Sequence, residues 1–258
     1  MNTVTDNFKQ VSDSILQFDR VGEFYMVLVL KRRKDTNGKM KEGVNEDNRL
    51  IKHYFVYDKE YLERKMESIK ALCEQNNARA YILPQRRDCR LVLWALHDKV
   101  SETLKDGAMN VHFDHLIRSC VAGMHETVEK WHKRWVIDID YDDSVFKNHI
   151  NEWLNWLGDE ASLIDKDNLC NEYVHWLYFK LNSALVTRDI SGVDYMPSMS
   201  HVYKPEDVNI ITTPHGAHIV TPPFNRDEKA MKQYFGSGKP LSEWIKPDAM
   251  TLIYSPLV

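Results

Sequence analysis

The stretch Arg134–Asp143 constrains the fold more than any other part of this 258-residue chain. It is an apolar run that ends in acids, Arg-Trp-Val-Ile-Asp-Ile-Asp-Tyr-Asp-Asp. Alternate residues of an extended strand point to opposite faces. The large apolar side chains share one face of this strand: Trp135, Ile137 and Ile139. The opposite face carries two acids, Asp138 and Asp140.

The two acids limit what can surround them. Carboxylates two residues apart on one strand lie about 6 to 7 Å apart, and unpaired neighbours of like charge repel each other. A divalent cation or a strong base beside Asp138 and Asp140 relieves that repulsion. We interpret the strand as the candidate catalytic centre of a metal-dependent enzyme that acts on phosphates. The alternative is a strand end whose acids are solvated at a turn.

The composition limits the classes of protein to which the chain can belong. Its length allows a full core in one large domain or two small ones, and 43% hydrophobic with 28% charged residues is typical of a soluble globular protein. The formal net charge of −4 gives no general attraction to nucleic acid or to an acidic membrane, so a polyanion site must be a local basic patch. No apolar run reaches the roughly 18 residues of a membrane helix.

The cysteine pattern favours a reducing compartment. None of the four cysteines has the paired C-x-x-C spacing, and the N-terminus lacks the basic-then-apolar pattern of a signal segment. We therefore expect a cytoplasmic protein with free thiols.

The residue pattern predicts an α/β fold. The predicted strands are 24–30, 51–57, 77–83 and 250–254. The predicted helices are 8–18, 59–76, 91–104, 145–157 and 168–185. The first two strands are expected to form a hairpin, and Pro84 to end the third. The order strand, strand, helix, strand, helix is typical of an α/β layer and not of a helix bundle.

A second informative stretch, 209–224, predicts two short strands joined by a tight turn at Pro214-His-Gly216. Gly216 removes a side chain where a ligand or another backbone segment can approach closely. His218 begins the outgoing strand beside that position, where an imidazole could donate to a phosphate oxygen or carry a proton. The alternative is a structural histidine beside a turn.

The two stretches together resemble the archaeo-eukaryotic primase superfamily, the primase-polymerases of phages, plasmids and bacterial end-joining ligases. The first motif of that family is a hydrophobic strand that ends in D-x-D or D-x-E, and Val136-Ile-Asp-Ile-Asp140 matches it. The second motif is a small residue, a turn and then G-x-H, and Thr213-Pro-His-Gly-Ala-His218 matches it. The resemblance is to the phage or mobile-element type and covers about residues 75–225. It implies a location in the cytoplasm of the bacterial host if a phage encodes the protein.

The resemblance implies an RRM-like catalytic sheet packed with an N-terminal α/β layer, with helices on the outside. It implies one primase-like domain over residues 1–258, with a possible subdivision into 1–105 and a catalytic part, 130–258. Asp138 and Asp140 would be ligands of Mg²⁺ or Mn²⁺, which holds the triphosphate and activates the attacking hydroxyl.

The resemblance also implies a set of nucleotide contacts. His218 would contact the phosphates of the incoming nucleotide. The neighbouring candidates for nucleotide binding are Thr213, His215 and Gly216. Phage members often carry an Ala-x-x-Tyr strand followed by basic residues, and Ala78-Arg-Ala-Tyr81 with the arginines after it is similar to that pattern. The arginines of this region are candidates for phosphate or template contacts because their fork suits phosphate oxygens: Arg79, Arg86 and Arg87.

The chain departs from the family in its third motif, which is another acid on a strand after the histidine motif. The final predicted strand, Met250–Tyr254, carries no acid. Asp248, just before that strand, is the best substitute, and Asp227 is a weaker one. The departure suits a minimal or partly degenerate member of the family.

A histidine-rich connector carries a weaker metal signal. Its candidate zinc ligands are His112, His115, Cys120 and His125. Their spacing matches no strong zinc module, and histidines dispersed over a helix surface are the alternative.

The sequence is compatible with three functions. The leading one is a primase-type nucleotidyltransferase that binds nucleoside triphosphates and a single-stranded DNA or RNA template, with a helicase or other replication protein as partner and no membrane. The second is a metal-dependent nuclease or phosphodiesterase that uses the same acids with His215 or His218. The third is a non-catalytic module with a degenerate primase fold that binds nucleic acid or a replication partner.

Overall fold

The computed structural model describes residues 4–32, 49–105, 113–122, 133–165, 168–186, 208–223, 244–246 and 249–256. Its strands are β1 (Thr5–Asp6), β2 (Glu23–Lys31), β3 (Arg49–Val56), β4 (Arg79–Asp88), β5 (Trp135–Asp140), β6 (Asn209–Thr213), β7 (Gly216–Thr221), β8 (Ile245–Lys246) and β9 (Thr251–Ser255). Its helices are α1 (Phe8–Ser14), α2 (Lys59–Asn76), α3 (Cys89–Lys105), α4 (Phe113–Ala122), α5 (Ser144–Leu157) and α6 (Leu169–Val186), with a 3₁₀ helix at Gly158–Leu163. The predicted mixed α/β class is confirmed. None of the described helices combines the length and apolarity needed to cross a membrane.

The chain divides into two units. Unit 1 is Met1–Lys133 together with Met250–Val258, and unit 2 is Arg134–Ala249. The single domain expected over residues 1–258, with a possible subdivision into 1–105 and 130–258, stays a prediction. Unit 2 ends at Ala249, and the last segment of the chain belongs to unit 1.

The sheet of unit 1 has the strand order β1-β9-β4-β2-β3, and every neighbouring pair is antiparallel. β2 and β3 form the predicted hairpin, with Tyr25 opposite Val56 and Leu28 opposite His53. The first seven residues of β2 are all buried. A strand that is buried on both faces is typical of a sheet that is covered on both sides.

Helices pack on both faces of this sheet. One face shares a core with α3 and α4: Phe24, Met26, Leu28, Val92, Ala95, Cys120 and Val121. On the other face, the Tyr25 hydroxyl donates to the carbonyl of Ile15, just after α1, at 2.9 Å. The Tyr254 hydroxyl of β9 donates to the Glu74 carboxylate of α2, also at 2.9 Å. Because side chains alternate along a strand, β2 and β9 contribute apolar residues to both faces of the sheet.

β4 continues beyond Pro84, so the prediction that this strand ends there was wrong. Proline has no N–H to donate to a neighbouring strand, and a strand that contains proline therefore needs an irregularity. The pairing with β2 supplies it, because Met26 lies opposite Leu83 whereas Phe24 lies opposite Arg87. The extra residues of β4 form a bulge, which lets the strand continue.

The sheet of unit 2 has the strand order β6-β7-β5-β8 and is also antiparallel throughout. Helices α5 and α6 pack on one of its faces. The core between them and the sheet includes Ile137, Ile139, Phe146, Ile150, Tyr173, Leu177, Ile219 and Ile245. The alternation predicted for β5 is confirmed, because Ile137 and Ile139 enter this core whereas Asp138 does not. The RRM-like arrangement expected of this sheet stays a prediction.

Arg86 lies in an ion-pair cluster at the start of β2 in unit 1. Its guanidinium is 2.9 Å from the Asp19 carboxylate and 3.2 Å from that of Glu23, and it donates to the Gln17 carbonyl at 2.9 Å. The Glu23 carboxylate also accepts from the backbone N–H groups of Asp19 and Arg20, at 2.8 and 3.0 Å. The side chains of Arg86 and Glu23 are only 3% and 2% exposed. The cluster therefore holds the segment that precedes β2.

We expect Arg86→Met to lower the free energy of unfolding by about 3–5 kcal/mol, because it removes the buried guanidinium that pairs with the buried Glu23 carboxylate. Urea denaturation followed by circular dichroism measures the loss. Arg20→Met is the matched control, because Arg20 pairs with the same carboxylate from a position that is 46% exposed. Its loss should be about 0–1 kcal/mol. Equal losses in the two variants would contradict the role of Arg86.

Glu23 should make part of the stability of unit 1 depend on pH. Burial by itself raises the pKa of Glu23, but the N–H groups of Asp19 and Arg20 and the charge of Arg86 outweigh it and lower the pKa below its ordinary value of 4.5. Such a carboxylate stabilises the fold above pH 4.5, and that contribution is lost as the pH falls through the folded pKa. We therefore expect the stability difference between wild type and Glu23→Gln to be largest near neutral pH and to shrink below pH 4.5. A difference that stays constant over a pH series of urea melts would refute this expectation.

Candidate functional site

β5 and β7 bring the two stretches that stand out in the sequence onto neighbouring strands. Asp138 lies directly opposite His218, and Asp140 lies opposite Gly216. Residues that lie opposite each other on antiparallel strands share a face. Since Ile137 and Ile139 fill the core beneath α5 and α6, the two acids and His218 lie on the other face of the sheet.

Asp138 is the centre of the polar contacts on this face. Its Oδ1 lies 3.3 Å from Nε2 of His218, and its Oδ2 accepts a hydrogen bond from the Lys246 ammonium. His218 belongs to β7 and Lys246 to β8, the two strands that flank β5. Both carboxylate oxygens are therefore engaged by side chains from neighbouring strands.

These contacts keep Asp138 ionised. Burial by itself raises the pKa of this carboxyl group, but the hydrogen bonds and charges of His218 and Lys246 outweigh burial and hold the pKa of Asp138 well below its usual range. An ionised carboxylate is the kind of oxygen ligand that Mg²⁺ prefers.

Trp244 fixes the position of Lys246 through the core of unit 2. Its ring centroid lies 6.2 Å from that of Phe146 and 5.3 Å from that of His149, both on α5. Ile245 is buried in the same core. Because side chains alternate along a strand, the next residue, Lys246, points to the opposite face of the sheet.

Gly216 sets how closely β7 approaches the acidic strand. A Cβ at this position would lie 1.9 Å from the carbonyl oxygen of Ile139 and 3.2 Å from Cα of Asp140. The small residue thus accommodates another backbone segment, which is one of the two explanations that the sequence left open. The Tyr141 N–H donates to the His215 carbonyl at 2.9 Å and ties the hairpin turn to the end of β5.

Asp140 lies at the exposed end of β5, where the chain turns into α5. Its Oδ1 accepts from the N–H of Asp142 at 3.0 Å, and its carbonyl accepts from the N–H of Asp143 at 3.1 Å. Tyr141 points back to the core and stacks on Phe146, with ring centroids 5.4 Å apart. The turn therefore presents the Asp140 carboxylate outside the core while Tyr141 anchors it.

The other candidates of the hairpin lie at its turn. Thr213 is the last residue of β6 and lies opposite Gly216. His215 forms the turn together with Pro214, and its side chain is exposed. Two strands joined by a tight turn were predicted here and are observed. The turn lies at the same end of the sheet as Asp140, since Asp140 is the residue that pairs with Gly216.

The three candidate arginines lie in β4 of unit 1, and all of them are buried. Arg87 donates to the Gln85 side chain at 3.0 Å, and Arg86 belongs to the ion-pair cluster with Glu23. The cluster gives Arg86 a stabilising role inside unit 1. Contact of Arg79, Arg86 or Arg87 with phosphate or template stays a prediction.

The remaining candidate ligands are only partly described. Cys120 is buried in the core of unit 1, and His115 is exposed on α4. Four of the predicted positions lie outside the described residues: His112, His125, Asp227 and Asp248. Within the part of the chain that the structure describes, no group of three or more His, Cys, Asp or Glu side chains could hold a metal ion.

The donor set on the face of β5 fits a cation that shares its coordination with phosphate. Mg²⁺ in nucleotide-binding enzymes is usually held by one or two carboxylates together with substrate phosphates and water. Asp138 and Asp140 supply two carboxylates on one face, and the contacts of Asp138 hold its pKa well below its usual range. These two residues would hold the cation, with the remaining positions left to phosphate oxygens and water.

Lys246 is the residue of this site that the sequence did not reveal. It lies in Trp244-Ile-Lys246, a segment too short to predict as a strand and followed by proline. The only signal was an apolar pair ahead of a lysine. Its contact with Asp138 depends on the pairing of β8 with β5, in which Val136 lies opposite Lys246.

We expect Gly216→Ala to destabilise unit 2 by about 1–3 kcal/mol, because the added methyl group must displace the backbone of β5 or β7. Thermal and urea melts measure the loss. The matched control is Thr212→Ala, at an exposed position of the facing strand β6, where we expect a change of about 0.5 kcal/mol or less. A Gly216→Ala protein as stable as wild type would show that the close approach of the two strands is not required.

Comparison with known proteins adds no relative from which a role could be transferred. No protein-family model, no curated protein and no solved structure gives a significant match to this chain. A functional assignment therefore depends on the residues and the geometry of the site.

Proposed function

We propose that unit 2 is a nucleotidyltransferase of the primase-polymerase type, which binds nucleoside triphosphates through Mg²⁺ or Mn²⁺ and extends a primer on a single-stranded DNA or RNA template. A helicase or another replication protein is the proposed partner. The observation that carries the proposal is the register of β5 on β7, with Asp138 opposite His218 and Asp140 opposite Gly216. The resemblance requires the D-x-D and G-x-H motifs to form one site, and this pairing supports that requirement.

The contacts of each residue in the proposed site indicate its role. Asp138 and Asp140 would hold the cation, which when bound neutralises triphosphate charge and activates the attacking hydroxyl. The His218 side chain is 12% exposed and its Nε2 faces Asp138. Its ring is therefore oriented before a nucleotide binds, next to the carboxylate where the phosphates would lie. Such pre-orientation lowers the entropic cost of binding.

A non-catalytic binding module is the second candidate, and the ion pair between Lys246 and Asp138 favours it. An ammonium group on the carboxylate neutralises the charge that would otherwise attract a divalent cation. In this alternative the acids stabilise the sheet, and unit 2 binds nucleic acid or a replication partner without a metal.

We expect Asp138→Asn to weaken the binding of a non-hydrolysable nucleoside triphosphate in the presence of Mn²⁺ by at least about tenfold, because the variant loses one of two charged metal ligands. Isothermal titration calorimetry measures the affinity. Asp142→Asn is the matched control, because it removes the same charge from a nearby side chain that is 85% exposed. We expect that variant to bind like wild type.

The outcomes separate the candidate functions. Binding of an oligonucleotide that needs no Mn²⁺ and is unaffected by Asp138→Asn, without any nucleotide binding, would contradict nucleotidyl transfer and favour the binding module. A labelled primer annealed to a template separates the two enzymatic candidates. Extension supports nucleotidyl transfer, whereas shortening would support a nuclease that uses the same acids with His215 or His218.

A further inference from the structure

The Lys246 ammonium occupies a position where a cation would bind Asp138. It is hydrogen-bonded to Oδ2, while Nε2 of His218 lies 3.3 Å from Oδ1. A metal ion that binds Oδ2 must displace a group that is itself positively charged. The ammonium and a divalent cation therefore compete for the same carboxylate.

The Lys246 side chain can move while its backbone stays in place. The side chain is 48% exposed and carries a compact charge on a flexible four-carbon stem. The backbone is held by the pairing of Lys246 with Val136 and by the burial of Ile245 in the core. The ammonium can therefore leave Asp138 without a change in the sheet.

A displaced ammonium needs an anion nearby, because it would otherwise lie a few ångströms from a divalent cation and be repelled by it. Phosphate oxygens satisfy both positive charges. They complete the coordination of a metal ion held by carboxylates, and lysine binds phosphate as a point charge. A free divalent cation brings no such anion, whereas a cation bound to a polyphosphate does.

We propose that Lys246 is a phosphate-binding residue that holds Asp138 until a metal–triphosphate complex arrives, and then moves to the phosphates. The site consequently disfavours free divalent cations and takes up the cation together with its nucleotide. This inference rests on the proposed function and adds to it the identity of a phosphate contact and the order of binding.

The variant Lys246→Met tests the proposal through two affinities that should change in opposite directions. Mn²⁺ alone, followed through the paramagnetic resonance signal of the free ion, should bind the variant at least about tenfold more tightly than wild type, because the competing ammonium is gone. A non-hydrolysable nucleoside triphosphate at saturating Mn²⁺, followed by calorimetry, should bind at least about tenfold more weakly, because a phosphate contact is lost. A purely structural role of Lys246 would not separate the two affinities in this way.

Lys147→Met is the matched control. It removes the same charge from a side chain of unit 2 that is 59% exposed and lies 4.0 Å from the Asp142 carboxylate. Neither affinity should change in that variant, and thermal melts establish that both variants are folded. Lys246 is itself half exposed, so its replacement should leave the sheet intact.

Each contrary result overturns a defined part of the proposal. Unchanged or weaker Mn²⁺ binding by Lys246→Met overturns the competition for Asp138. Unchanged nucleotide binding overturns the phosphate contact while leaving the proposed function in place. Wild-type protein that binds no nucleotide at any Mn²⁺ concentration overturns the proposed function itself, and this inference with it.

Discussion

The close backbone approach of Gly216 to Ile139 permits the register of β7 on β5 that places His218 opposite Asp138. A Cβ at residue 216 would overlap the Ile139 carbonyl oxygen, so β7 can lie this close to β5 only with glycine there. Antiparallel strands pair residue by residue, and a slip of one position turns every side chain to the other face. Such a slip would send His218 into the core and leave Asp138 without it. The contact between Asp138 and His218 therefore depends on a small residue at position 216.

Lys246 balances the charge of that site from within the protein. Two neighbouring acids on a strand call for a positive charge, and the sequence led us to expect a metal ion in that role. The fold brings an ammonium to Asp138 on the adjacent strand, anchored through Trp244 and the core. The resemblance predicts an acid on a strand after the histidine motif, and in this sheet β8, which follows that motif, carries a lysine. A lysine at this place is the basis of our proposal that the site takes up a cation together with a polyphosphate.

In unit 1, the arginines of β4 are buried, which differs from the exposed position that their sequence suggests. Arginines that follow a strand look like an exposed phosphate-binding group, and a proline in the middle looks like the end of the strand. The bulge in β4 carries the chain past Pro84, so Arg86 and Arg87 become part of the sheet and are buried. Arg86 then forms ion pairs with Glu23 and Asp19 inside unit 1. Neither the bulge nor the burial has a signal in the local pattern of residues.

The sequence by itself determined the elements that depend on local periodicity: the β2–β3 hairpin, helix α2, the two faces of β5 and the turn before Gly216. These are set by residues a few positions apart, whose spacing decides which side chains share a face. The tertiary structure decided the contacts between distant segments. It placed His218 and Lys246 on either side of Asp138 and put the last strand, β9, into the sheet of unit 1. Such pairings depend on which strand edges meet when the apolar faces of distant segments are buried together. Local periodicity does not determine this.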